Sequence, residues 1–175
     1  EDSILLTVGE FRHRYTAQDK KNIFGKLLEI NIENKTTKLR SLGHRNPQGL
    51  LVNKTKDFVL LTEHGPMGGD EINLVDLKNI SETPNYGWPV ASYGEHYGGI
   101  YKAENRQKYL KYPLLKSHKN NGFIEPLTYF VPSIGISEII EVKDNFFLVS
   151  SLKARAVYLY ELQPNKKFVK LKKIN

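Results

Sequence analysis

Apolar residues arrive along this chain in short bursts rich in Val, Ile, Leu, Phe and Tyr, separated by Gly, Pro, Asn and Asp. The bursts predict strands at residues 4–10, 25–32, 36–42, 49–52 and 58–63. Further strands are expected at 71–75, 127–130, 138–142, 146–150, 156–162 and 167–172, about eleven in all. No stretch of roughly ten or more residues carries a helical period.

Many short strands at even spacing point to an all-β sandwich, barrel or propeller. A propeller blade has about four strands in roughly 40–50 residues, so about eleven strands fill almost three blades. Paired units recur, at 49–52 with 58–63 and at 138–142 with 146–150, each an apolar strand, a polar turn and a second apolar strand. The segment 90–125 interrupts the pattern and is rich in Tyr, Lys, Gly and Asn. A long connection of this kind is often functional. Its Tyr93, Tyr97, Tyr101, Tyr109 and Tyr112 either line a ligand cleft or pack the segment onto the blades.

Composition supports a folded domain, with 39% hydrophobic and 26% charged residues in a chain of 175. No apolar run approaches the roughly 20 residues of a membrane-spanning helix. The start, Glu1-Asp2-Ser3, leads straight into strand-like sequence without a signal peptide, which suggests a beginning inside a domain or after a removed segment. Cysteine is absent, which excludes disulfides, thiolate metal sites and cysteine catalysis. Sequons at Asn34, Asn53 and Asn79 carry little weight in a chain rich in Asn and Lys. The net charge of +7 thickens at Lys166, Lys167, Lys170, Lys172 and Lys173. It reads as a solvated surface, since no nucleic-acid fingerprint and no basic helix accompanies it. A basic face also suits an acidic cofactor.

The densest chemistry lies between 43 and 89. It contains Gly-His-Arg-Asn-Pro-Gln-Gly at 43–49, Glu-His-Gly-Pro-Met-Gly-Gly-Asp-Glu-Ile-Asn-Leu at 63–74 and Asn-Tyr-Gly-Trp-Pro at 85–89. These are tight turns at strand ends, where Gly and Pro let backbone groups face a ligand. Asp70 and Glu71 offer hard oxygens suited to Ca²⁺.

These motifs resemble, in order and spacing, the soluble aldose sugar dehydrogenases of the glucose/sorbosone dehydrogenase family, which use pyrroloquinoline quinone (PQQ) and calcium. Flanking matches at 6–10, 16–19, 25–27, 132–133 and 150–153 extend the resemblance over nearly the whole chain. It implies that residues 1–175 are the central part of a six-bladed β-propeller domain, about three blades of four-stranded antiparallel sheets. By resemblance, Arg45 and Asn46 stand at the cofactor quinone, with the Arg45 guanidinium stabilising negative charge on the reduced form. Lys153 pairs with a carboxylate of PQQ, a tricarboxylate. Gly65 and Pro66 hold the cofactor's Ca²⁺ through their carbonyls, and that ion polarises the quinone. Glu71, by its side chain, and Tyr86, by its carbonyl, match a second, structural calcium site. Among histidines, His44 is expected to be structural, His64 to line the active site, and His13, His96 and His118 to be exposed.

Two parts of the family pattern have no counterpart. The base histidine precedes the segment matching 4–9, and further PQQ-contacting arginines follow the lysine motif. Glu10 stands where some members have Asp. The implied function is oxidation of an aldose C1 hydroxyl to a lactone with an external electron acceptor, in a periplasmic or secreted setting. Without the upstream histidine, this chain alone is expected to be inactive. A half ring also leaves open sheet faces, which a homodimer could cover. The rival reading is a non-catalytic propeller serving as a binding module, which retention of Arg45, Asn46, Gly65, Pro66 and Lys153 disfavours.

Overall fold

A computed structural model describes residues 2–53, 55–78, 82–99 and 101–174. Its eleven strands form three antiparallel sheets in chain order. The first comprises β1 (Ser3–Val8), β2 (Lys26–Asn31) and β3 (Thr37–Leu42). The second runs β4 (Pro47–Asn53), β5 (Phe58–Glu63), β6 (Asp70–Asp76) and β7 (Thr128–Phe130). The third runs β8 (Ile136–Lys143), β9 (Phe146–Ser151), β10 (Ala156–Leu162) and β11 (Phe168–Ile174). Each strand pairs with its sequence neighbour, as in consecutive propeller blades. The recurring pairs seen in the sequence are β4–β5 and β8–β9, the first two strands of successive sheets.

Four strands per sheet were expected, but the first sheet has three, with β1 at its edge. The β1 strand also stops earlier than its apolar pattern suggests. Gly9 and Glu10 leave the ladder, the Gly9 carbonyl accepting from Gly25 N–H at 3.2 Å and Glu10 N–H donating to the Arg45 carbonyl at 2.8 Å.

The β5 run Phe-Val-Leu-Leu-Thr-Glu is buried at every position. Alternate side chains point to opposite faces, and here both faces are covered. Phe58 and Leu60 join Ile136, Ile139, Phe147 and Val149 in the core between the second and third sheets. Val59 and Leu61 join Leu27, Val75 and Tyr86 in a second core facing the first sheet. A strand buried on both faces reads as a continuous apolar run, not an alternating one. Each such side chain stabilises by roughly 1.5–3 kcal/mol on burial.

The segment 90–125 carries what the pattern missed. It contains α1 (Asn105–Lys111) and a short 3₁₀ turn at Lys119–Asn121. Seven residues are too few to display a period. This helix does carry basic residues, Arg106, Lys108 and Lys111, contrary to the sequence reading. Two histidines are corrected as well. His13 is exposed, but His96 and His118 are each 1% exposed. Both imidazoles lose their water because the segment folds onto the second sheet, where Tyr93 stacks on Tyr129 and His118 lies 3.5 Å from Glu71. His96 Nε2 donates to the Tyr112 carbonyl at 2.8 Å, which leaves Nδ1 to accept from Arg14 Nη1 at 2.9 Å.

Candidate functional site

Antiparallel pairing brings the motifs together. Arg45 and Asn46 precede β4, whereas His64, Gly65 and Pro66 follow β5, its partner. Ser133 and Gly135 precede β8, and Lys153 lies in the turn after β9. All therefore emerge at the same end of two adjacent sheets. They line one open cleft of about 460 Å³, with Met67, Asp70 and Tyr97.

Arg45 is the best-anchored group in it. The Nη1 donates to the carbonyls of His64 (2.9 Å) and Gly65 (2.6 Å), and the guanidinium lies 5.2 Å from the centre of the Trp88 ring. Its Nε is buried without a hydrogen-bond partner. Beneath it, the backbone N–H of Arg45 donates to Glu63 Oε2 at 2.7 Å. The other Glu63 oxygen accepts from His44 Nδ1 (2.9 Å) and Asn73 Nδ2 (2.7 Å), and His44 Nε2 meets Ser41 Oγ at 2.7 Å. His44 is fully buried and stacked on Tyr86, which bears out its structural role. Burial alone would raise the Glu63 carboxyl, but His44 and the hydrogen bonds hold it below its ordinary range.

The turn residues His64, Gly65, Pro66, Met67 and Gly68 line the cleft. Pro66 accepts no hydrogen bond among the described residues, whereas the Gly65 carbonyl accepts from Arg45. Neither takes part in a sheet ladder. Asp70 is the correction here. Its Oδ2 accepts from the backbone N–H groups of Ile134 (3.1 Å), Gly135 (2.8 Å) and Ile136 (3.1 Å), so its carboxylate clamps the second sheet to the third. Burial opposes its charge, but contact with His64 and these amides keeps its carboxyl below the ordinary range.

Glu71 is different. It is 7% exposed, and burial, with Glu63 next, pushes its carboxyl well above the ordinary range. Its nearest base, His118 Nε2, is 3.5 Å away and is itself pushed down by burial. Glu71 and Tyr86 both line a void of about 10 Å³ beneath Arg45, room for one water or one ion. Lys153 is exposed at the cleft mouth. Sequence reasoning gave no role to Glu63 or Trp88, since a glutamate at a strand end has no local signal, whereas Tyr97, one of five tyrosines read as either cleft lining or packing, lies on the cleft. Of the segment's other tyrosines, Tyr101 is almost fully exposed and Tyr93 and Tyr109 pack. Tyr93 stacks on Tyr129 at 3.5 Å, and Tyr109 bonds Glu95 at 2.7 Å.

The profile of the glucose/sorbosone dehydrogenases matches residues 1–175. The chain belongs to the glucose/sorbosone dehydrogenase family. It is 34% identical over 147 residues to the aldose sugar dehydrogenase YliI of Escherichia coli (strain K12), covering 77% of this chain and 36% of that protein. It is 36% identical over 96 residues to quinoprotein glucose dehydrogenase B of Acinetobacter calcoaceticus, covering 48% of this chain and 19% of that one. Among solved structures it resembles the soluble aldose sugar dehydrogenase of Escherichia coli in its apo form, with a TM-score of 0.75 and 26% identity. That match covers 99% of this chain and 51% of the solved one, so the chain spans about half the length of this relative.

Proposed function

We propose that this chain forms the cofactor-facing part of a PQQ- and calcium-dependent dehydrogenase that oxidises the C1 hydroxyl of an aldose to the lactone. The observation that carries the reading is Arg45. Its Nε is a buried donor without a partner, in a cleft shared with a second cation, Lys153. An unpaired buried donor costs roughly 1–3 kcal/mol, and an anionic, oxygen-rich ligand would relieve it. When bound, PQQ supplies a two-electron acceptor and its Ca²⁺ the Lewis acidity that polarises the quinone.

The chain's own residues take distinct parts. Arg45, held by two carbonyls and the Trp88 face, would hold negative charge on the reduced cofactor. Asn46 would flank the same group. Lys153 would pair with a carboxylate at the mouth. The free Pro66 carbonyl suits a hard cation, and Gly65 would share its carbonyl between Arg45 and that cation. Glu71, with the Tyr86 carbonyl, would hold a second, structural Ca²⁺. A buried carboxylate without a close cation fits that role, whereas Asp70 is already engaged by amides. The same reading places the chain in a six-bladed ring, in a periplasmic or secreted protein that passes electrons to an external acceptor.

Trp88 is the single tryptophan and touches Arg45, so its fluorescence reports on the site. Titration with PQQ in the presence of Ca²⁺ should quench it saturably. Arg45→Ala should weaken that binding by about tenfold or more, the loss of a charge-assisted contact. Unsaturable quenching, or equal affinity in Arg45→Ala, would sink the reading.

A further inference from the structure

A second open cleft, of about 1080 Å³, lies at the opposite end of the sheets from Arg45 and shares no lining residue with the Arg45 cleft. Its walls come from the end of β6, from residues within 82–86 and 119–127, and from the turn 165–169 that leads into β11. The space exists because the outer strands are unequal. The β7 strand has three residues and pairs only with Asp70, Glu71 and Ile72 of β6, whereas β11 has seven. Among the described residues the rest of β6 has no outer strand, so the wedge between the second and third sheets stays open there. A volume of this size takes several residues of a peptide.

The lining is apolar below and cationic at the rim. Leu74, Leu127 and Phe168 belong to the core between the two sheets, and Ile124 beside them is 42% exposed. The cations are Lys119, Lys166 and Lys167. Two of the three carboxylates are already engaged. Glu125 accepts from the Tyr93 hydroxyl and from Lys119 N–H at 2.9 Å, and Asp76 accepts from Lys78 N–H at 2.9 Å and lies 3.9 Å from Lys166 Nζ. Glu82 is exposed, while Lys119 and Lys167 have no ion pair among the described residues, so the unpaired charge is net positive. The positive line continues up β11. Lys170 stands opposite Tyr160 and Lys173 opposite Tyr158, two core rings, so both lysines are on the side facing the second sheet. A second copy of the chain is a poor occupant. Its net charge is +7, and the β11 edge carries lysines and a bulge, devices that oppose pairing with an identical edge.

We propose that this cleft docks an extended segment of a partner protein in which apolar and acidic residues alternate. Its apolar side chains fill the floor beside Ile124, and its carboxylates meet Lys119, Lys167 and then Lys170. The inference stands apart from the cofactor, since it uses the other end of the sheets. The test follows a fluorescein-labelled peptide of alternating Leu and Glu by anisotropy, beside one peptide with Lys for Glu and another with Ser for Leu. The Leu-Glu peptide should bind saturably with a dissociation constant below about 1 mM, and the two controls should not. Hydrogen exchange should slow at 119–127 and 165–169 in the complex. Lys119→Glu combined with Lys167→Glu should weaken binding by about tenfold or more and Ile124→Ser by about threefold, with circular dichroism unchanged. If the doubly reversed variant melts early, Ile124→Ser decides on the same criterion. Failure to saturate, or equal affinity in the variants, overturns the inference. Equal binding of the Ser-containing peptide overturns it too, since the surface then takes any polyanion. Sedimentation showing a dimer that the double reversal dissociates or strengthens would give the cleft to a second copy and overturn it likewise.

Discussion

Asp70 offers the sequence a metal ligand, and the fold uses it as a clamp on three successive amides. Asp70→Asn would present one oxygen and a misplaced NH₂ to this nest, at a cost of roughly 2–4 kcal/mol at pH 7. The folded carboxyl titrates below its ordinary value near 3.8. Its contribution is therefore complete above about pH 4 and is lost as pH falls through the lower folded value. Urea denaturation across pH 2–7 should show wild type converging on Asp70→Asn only at the acid end. Lys26 makes a parallel case. It is fully buried, and its Nζ donates to the carbonyls of Thr16 (2.8 Å), Ala17 (3.0 Å) and Phe24 (2.5 Å). Burial pushes its ammonium down to about 8, with Asp19 opposing. Three carbonyl acceptors favour the charged form, so Lys26 reads as a staple of the 3₁₀ turn at Arg14–Gln18. Lys26→Met should cost about 2–4 kcal/mol by the same measurement, with the three carbonyls left unpaired.

At the scale of elements, the turn before β4 decides where Arg45 goes. Gly43 has φ +78, and a Cβ there would lie 2.3 Å from Asn85 Oδ1 and 2.6 Å from the Gly87 nitrogen. Only glycine lets the Gly-His-Arg-Asn run pass so close to the Asn-Tyr-Gly-Trp-Pro run. Gly43→Ala should destabilise by roughly 2 kcal/mol or more and displace Arg45, read as a lower melting temperature together with a shifted Trp88 emission. The 90–125 segment responds differently. Asn105→Ala removes the two bonds that pin 97–99, a local loss of about 1–2 kcal/mol. Hydrogen exchange should quicken at those amides while the strands keep their protection.

For the whole molecule, the ends of the stack of sheets matter most. Ile4 and Leu6 on β1 are 54% and 43% exposed, and Ile140 and Val142 on β8 are 49% and 50% exposed. Each pair is spaced by two and so shares one face, while Leu5, between the first pair, and Ile139, next to the second, turn inward. The same alternation buries β5 on both sides, and these outer faces have the character of surfaces made for a further sheet. Lysine at all four positions should leave the circular dichroism unchanged and abolish binding of a hydrophobic dye. Equal dye binding by the variant would locate the sticky surface elsewhere.

The strands were legible because an all-β chain writes its elements as short apolar bursts, and all eleven expected strands have counterparts. The motifs that align with the family were legible too, since Gly and Pro fix turns locally and the neighbouring polar residues keep their order. Pairing was not written in any one segment. That Arg45, Pro66 and Lys153 share a cleft follows from β4, β5, β8 and β9 presenting the same end, a consequence of antiparallel registers between distant residues. Burial of polar groups was equally out of reach. His96, His118 and Glu71 sit in hydrophilic sequence, and only the folding of one segment across the second sheet removes their water. The tertiary structure likewise assigns Asp70 to amides and leaves Arg45 Nε free, because a polar atom's role depends on which partners the fold brings within about 3 Å.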